Sequence, residues 1–458
     1  MRLPVSLCFL AAFQPLAAHV AFLPLGYLDG WGPTSEAIAI SSDATKMVGY
    51  SASAGNPNLA CVWTASSPGS WLIDGRLDLL STSPQPNGSN ALAVSAAGSV
   101  VVGLNGFGGT EDAYYWTAAG QLQLIPLPPE PLRRNSVAWG VSPGGDIVVG
   151  HTDVRINQFS DAVERKGFAW NRNQAQAVYL LPLTGSLVPN RVPLGASANG
   201  SRIVGYAQAS LSAQAAVRWD NGGAPQILHQ PTDTVISFSA NSISFDGNVV
   251  VGQAIDTVAG RNVAFKWTPA GGMVALPPPT TGTHAYQYTT AIRVSGNGRV
   301  IVGYGENVLG DDEAIFWVDG QPFRVSDIAF AAGVLPPSWA PQRAYGVDYT
   351  GNSISGFGRA TSGKLEAYLL VIDTTPAPPP VVAPSVDFAY DRTGNSLKVH
   401  YQTAPGAEYR ILGGSNLQSL APLGGWQAGT GGPVEFVAGP ATTGGAPSYF
   451  LRVEARNN

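Results

Sequence analysis

Asn241–Gly252 reads NSISFDGNVVVG, and Ala264–Trp267, AFKW, follows it after a polar loop. The stretch opens on small alternating residues, turns at Asp-Gly-Asn, runs through three Val and stops at a Gly. An Asp-Gly pair between two apolar runs is hairpin chemistry, because the turn needs positive φ. The pattern recurs along the chain. Upstream copies are Ala37–Gly49 with ACVW, Ala91–Gly103 with AYYW, Val137–Gly150 with GFAW, and Leu194–Gly205 with AVRW. Downstream are Ala291–Gly303 with AIFW, and Tyr345–Gly356 with AYLL, which lacks the Trp. The closing glycines Gly49, Gly103, Gly150, Gly205, Gly252, Gly303 and Gly356 are 54, 47, 55, 47, 51 and 53 residues apart. The period is therefore about 51 residues, in seven copies.

Each copy predicts four short strands: the small-residue strand, the Val-Val-Gly strand, the Ala-aromatic-x-Trp strand, and an apolar stretch such as LIPLP, VYLLPL or MVALPP. PFRVSDI supplies that fourth strand in the sixth copy. Four antiparallel strands in each of seven repeats predict a seven-bladed β-propeller. Small residues at Ala37, Ala39, Ala91, Ala93, Gly140 and Gly195 suit innermost strands crowded at the axis. Trp63, Trp116, Trp170, Trp219, Trp267 and Trp317 hold one repeat position, and a residue recurring six times in register is expected to be structural. The Gly after Val-Val is expected to mark a bulge or a positive φ where strand passes to loop. The seventh copy has no fourth strand of its own, whereas Phe22–Leu28 is a fourth-strand sequence standing alone before the first copy. Pairing the two closes the ring and leaves no open edge.

Composition sets the remaining bounds. The chain has 458 residues, 12 % of them charged, and a net charge of −5, which argues against a nucleic-acid partner. Residues 1–21 read as a signal peptide: Arg2, the apolar run Val5–Phe13, then Ala17, Ala18 and Ala21. Its removal would take Cys8 and leave Cys61 as a buried free thiol. No later segment is long and apolar enough to span a membrane, so a secreted or periplasmic bacterial protein is expected, as a monomer. The propeller is expected over residues 22–373 and a Pro-rich linker over 374–384. A small β-sandwich is expected over 385–458, from the alternating runs VDFAYD, SLKVHYQ, EYRILGG, PVEFVAG and SYFLRVEAR.

The repeat resembles the bacterial extracellular HAF-repeat family, whose unit is a strand, an Asp-Gly-type turn, Val-Val-Gly, then His-Ala-Phe-x-Trp. SFDGNVVVG with AFKW, and SGNGRVIVG with AIFW, carry the likeness, which covers about Phe22 to Asp373. The family's His before Ala is missing: Val263 precedes Ala264, and Glu313 precedes Ala314. The resemblance implies an exported repeat protein. The C-terminal segment resembles small β-sandwich modules that end secreted bacterial proteins, through YRILGGSNLQSLAPLGGW and YFLRV.

Chemistry is harder to find. The five His (His19, His151, His229, His284, His400) show no zinc-ligand spacing, and no G-x-S-x-G elbow or phosphate loop is present. Asp311-Asp312-Glu313 and Glu111-Asp112 are candidate hard-cation clusters that read better as solvated loops. No cofactor, metal or catalytic residue is expected. The sequence reading is a non-enzymatic binding or structural propeller that presents loops to a protein or carbohydrate partner. The alternative is a secreted carbohydrate-active enzyme with carboxylates at the propeller channel. A channel lined by Ala, Ser and Gly would favour the first, and converging carboxylates the second.

Overall fold

The computed structural model describes residues 20–372 except 28–33, 54–55, 66–72, 80–87, 107–110, 118–121, 160, 211–212, 231–232 and 281–284. It also describes 386–457 except 392–395, 403–406, 415–420, 424, 426, 429–432 and 439–449. Residues 1–19 of the expected leader, the linker and His284 lie outside the described residues, whereas Ala21, the last residue assigned to that leader, belongs to a strand. Two compact units divide at Thr374/Thr375. The first holds seven four-stranded antiparallel sheets, the blades of a seven-bladed β-propeller. In six blades the strand order in space is the order in sequence. In the seventh, Ala340–Val347, Ser353–Arg359 and Leu365–Val371 are completed by Ala21–Pro24 from the other end of the chain.

That closure is antiparallel, with Ala21 opposite Val371 and Phe22 opposite Leu370. The strand ends at Pro24, short of Leu28, although Leu25 N–H still donates to Ala367 O and Gly26 N–H to the Glu366 carboxylate. Phe22 stacks on Tyr368 and meets Trp339 edge-on. The Trp63 indole N–H of blade 1 donates to Leu25 O, so the closing segment is also tied to the next blade. Elsewhere the same tie recurs: Trp219 donates to Leu181 O and Trp317 to Pro277 O, each reaching the outer edge of the preceding blade.

Every innermost strand carries one β-bulge at the same place. The register slips between Ala37 and Ala39, Ala91 and Ala93, Ala138 and Gly140, and Pro193 and Gly195. It slips again between Ala240 and Ser242, Ala291 and Arg293, and Ala344 and Gly346. Opposite each bulge stands the repeat glycine. A Cβ on Gly49, Gly103, Gly150, Gly205, Gly252, Gly303 or Gly356 would stand 1.9–2.0 Å from a carbonyl oxygen of the facing inner strand. These glycines therefore sit in mid-strand with ordinary φ, not where strand passes to loop: the inner backbone presses onto them. Positive φ belongs to the hairpins instead, at Gly98, Gly145, Gly200, Gly247, Gly298 and Gly351, with Ala44 at φ 55 in the first copy.

The serine ending each inner strand makes the hairpin. Ser41, Ser95, Ser142, Ser197, Ser244 and Ser295 Oγ accept the backbone N–H five residues on, at 2.9–3.1 Å, and Asp348 does the same in blade 7. A second serine or threonine position ties blades together. Ser89, Ser136, Thr289 and Ser35 accept from Ala60, Ala113, Ala264 and Ala367 N–H of the preceding blade.

One fourth strand differs from the sequence expectation. PFRVSDI is strand only through Arg324; Val325–Ala331 is a helix that buries Val325 and Ala329, one turn apart, on the core side. Among the described residues no helix is long and apolar enough to cross a membrane. The second unit is a small sandwich of two antiparallel sheets, one of Val386–Asp391, Ser396–Gln402 and Pro433–Ala438, the other built around Ala407–Gly414.

Two outcomes follow from these contacts. Phe22→Ala empties a site that is 5 % exposed between Tyr368 and Trp339, and should cost about 3–5 kcal/mol in urea unfolding. Gly252→Ala forces a methyl within 1.9 Å of Ser239 O and should destabilise by about 3 kcal/mol; a melting curve equal to that of the wild type would refute the bulge account.

Candidate active site

The bulged residues Ile38, Leu92, Trp139, Leu194, Asn241, Ile292 and Tyr345 ring the central channel and line a cavity of about 420 Å³. Of the small residues beside the bulges, Ala37, Ala39, Ala91 and Ala93 are at most 2 % exposed and do not reach it, whereas Gly140, Gly195 and Ser242 share the lining. The Ala/Ser/Gly lining is thus present only in part, because a bulge also sends one larger side chain per blade out of the pleat.

On the disc face away from the serine turns, blades 1, 6 and 7 bring ionisable groups together. Glu36 stands two residues before the channel residue Ile38, opposite Tyr50 on the neighbouring strand. The Tyr50 hydroxyl donates to the Glu36 carboxyl. Burial pushes the Glu36 carboxyl above its usual range, with the Tyr50 hydrogen bond and the Arg343 charge pulling the other way. Arg343 Nε and Nη2 each lie 2.6 Å from Asp312 Oδ2, and Nη1 donates to the Tyr345 hydroxyl at 3.3 Å. The guanidinium also lies 4.2 Å over the Tyr304 ring. Burial and the Glu36 charge raise Tyr345 to about 12. Beside this group the Tyr288 hydroxyl donates to Glu306, with Tyr288 packed edge-on against Tyr304. The result is a carboxyl whose pKa burial raises, an ion-paired carboxylate and four tyrosines gathered about one arginine.

The residues singled out in the sequence lie elsewhere or serve other ends. Trp63, Trp219 and Trp317 are fully buried, Trp170 is 4 % exposed, and Trp116 and Trp267 are partly buried. Cys61 is a fully buried free thiol beside Trp63, and burial pushes its pKa far up. The acidic run of blade 6 is split apart: Asp312 pairs with Arg343, while Glu313 accepts from Tyr286 and Asn307. Among the described residues no group of three His, Cys, Asp or Glu could hold a metal ion. His151 accepts from the Trp139 indole at 2.9 Å, and burial, helped by Arg165, lowers its pKa to about 3. A serine–histidine contact that sequence reading missed, Ser237 with His229 at 3.0 Å, has its serine fully buried and closed to a substrate. The signal that could have found the mouth was a departure from the repeat: Glu36 and Arg343 occupy a position held elsewhere by Asn90, Val137, Val192, Ser239 and Thr290.

No protein-family model matches the chain, and no curated protein matches it. Solved structures do. An oligogalacturonate lyase from Vibrio parahaemolyticus is 9 % identical with a TM-score of 0.51, the match covering 78 % of this chain and 95 % of that one. An oligogalacturonate lyase in complex with manganese is 11 % identical with a TM-score of 0.47, over 77 % of this chain and 90 % of the other. Puromycin hydrolase is 13 % identical with a TM-score of 0.48, over 83 % and 60 %. At such identities the likeness is one of fold. It nonetheless corrects the reading of a non-enzymatic, loop-presenting propeller: the fold is shared with a lyase, and ionisable side chains of blades 1, 6 and 7 gather on one face of the disc.

The neutral His151 has a consequence for pH. Its folded pKa, about 3, lies below its ordinary 6.5, so between those values the unfolded chain binds a proton that the folded one does not. Stability should therefore fall as pH drops through that window. His151→Gln, which keeps an acceptor for Trp139, should flatten the dependence by about one proton in urea titrations at stepped pH.

Proposed function

We propose that this chain is a secreted bacterial carbohydrate-active enzyme built on a HAF-type repeat, working at the mouth formed by Glu36, Tyr50, Asp312, Arg343 and Tyr345. The observation that carries the reading is Glu36: a half-buried carboxyl whose pKa is raised by burial, next to an arginine already ion-paired with a second carboxylate. Environments that treat two carboxyls so differently are how one site holds an acid and an anion together near neutral pH. Glu36 would hold the proton to be given to a leaving oxygen, and Tyr50 orients it. Asp312 keeps Arg343 in place, and the Arg343 charge stands ready for negative charge developing on the substrate. Tyr288, Tyr304 and Tyr345 add aromatic surface with polar tips, which suits a sugar ring. The leader-like N-terminus supports export, and the Val-Val-Gly and Ala-x-x-Trp units support the repeat family.

The test is release of reducing ends from a panel of neutral and acidic polysaccharides. Glu36→Gln should lower kcat by about 10²–10⁴-fold and leave the melting temperature close to wild type. Because Glu36 acts as the protonated form, wild-type activity should decline as pH rises through its raised pKa, and the variant should lose that alkaline limb. Wild-type activity on no polysaccharide, or equal activity in Glu36→Gln, would overturn the assignment.

A further inference from the structure

One residue after each bulge the seven blades carry Ala39, Ala93, Gly140, Gly195, Ser242, Arg293 and Gly346. Six of these are small, and at two of them neighbouring atoms close in: a Cβ on Gly140 would stand 2.5 Å from Leu194 O, and one on Gly346 2.3 Å from Ser355 Oγ. Arg293 alone is large and charged. Its side chain enters the channel cavity, and Nη2 donates to Leu92 O of blade 2 at 3.1 Å. Blades 6 and 2 are three apart round the ring, so the guanidinium lies across the channel. Burial draws its pKa down to about 10, which still leaves it cationic at neutral pH. No carboxylate among the described residues pairs with it. Asp348, the acidic residue on the cavity wall, is committed to its own turn: its carboxylate accepts Gly351 N–H at 2.6 Å, Ser353 N–H at 3.2 Å and the Thr350 hydroxyl at 2.8 Å.

A half-buried cation with one neutral acceptor among the described residues for its five N–H donors is short of protein partners, and a negative group can supply them. We propose that the channel binds a carboxylate at Arg293. The planar fork of a guanidinium matches the two oxygens of a carboxylate, and one positive charge on the channel wall balances one negative charge. A phosphate dianion would bring two charges to a wall that offers one cation. The ring of Ile38, Leu92, Leu194 and Ile292 provides apolar contact for the carbon skeleton, and a cavity of about 420 Å³ has the size of a small-molecule site. An aliphatic acid and a sugar acid share this chemistry. The site shares Tyr345 with the Glu36 mouth but does not depend on the catalytic reading.

Calorimetric titration of the full chain with glucuronate, butyrate, glucose and phosphate tests it. One or both carboxylates should bind saturably at one site, glucose should not, and the carboxylate that binds identifies the source as sugar acid or aliphatic acid. Arg293→Gln keeps a donor for Leu92 O while removing the charge; it should hold the wild-type melting temperature and weaken carboxylate binding about tenfold or more. Arg293→Lys should retain measurable binding. Glu36→Gln should bind carboxylate as the wild type does. The proposal is overturned if neither carboxylate binds the wild type, if glucose or phosphate binds as well, if Arg293→Gln binds unchanged, or if Glu36→Gln abolishes binding. The wild-type arms decide the matter even if the Gln variant fails to fold.

Discussion

The pressing of seven inner-strand carbonyls onto seven glycines is the contact on which the disc depends. Each bulge inserts one residue into the innermost strand, and the extra backbone must go somewhere. It goes against the neighbouring strand, where only a residue without a Cβ leaves space. The glycine in turn keeps the bulge where it is, since shifting the register by one residue would set a valine against the carbonyl. The gain is geometric. Between blades the inner strand presents Ala and Ser, small enough for the crowded axis, while one large side chain per blade is released into the channel.

That arrangement separates scaffold from chemistry. The serines that close the hairpins, the serines and threonines that receive the preceding blade's N–H, and the tryptophans tied to the preceding blade recur because each blade must solve the same packing problem. The residues that break the repeat stand at the axis. Glu36 and Arg343 occupy one repeat position, Trp139 and Tyr345 another, and Arg293 a third whose other holders are all small. Side chains at the axis are partly freed from packing against a neighbouring blade, so substitution there costs less stability than at the blade interfaces.

Closure connects stability to the site. Glu36 belongs to blade 1 and Arg343 to blade 7, at opposite ends of the repeat array, and they become neighbours only because the ring shuts. The strand Ala21–Pro24 supplies the missing edge, Phe22 fills the aromatic pocket of Tyr368 and Trp339, and Trp63 bonds Leu25. Loosening that clasp would separate the two halves of the mouth as well as expose the Leu365–Val371 edge.

The number of blades, their strand order, the hairpin glycines and the closing strand were legible in the residues themselves, because each rests on local chemistry repeated in register: Asp-Gly turns, Val runs, and a count of fourth strands that balances only in a ring. The role of the Val-Val-Gly glycine was only half legible. A bulge could be anticipated, but its place on the facing strand depends on how two strands pair. PFRVSDI shows the limit for a short apolar run, where Val325 and Ala329 reach the core as readily one helical turn apart as they would in a strand. The mouth was beyond reach, because Glu36, Asp312 and Arg343 are distant in the chain and each alone resembles a solvated surface residue. What joins them is the meeting of first and last blades, and what raises the Glu36 carboxyl is burial. Arg293 could be seen to differ from its repeat partners, but only the packed ring sets its charge across the channel against the Leu92 carbonyl.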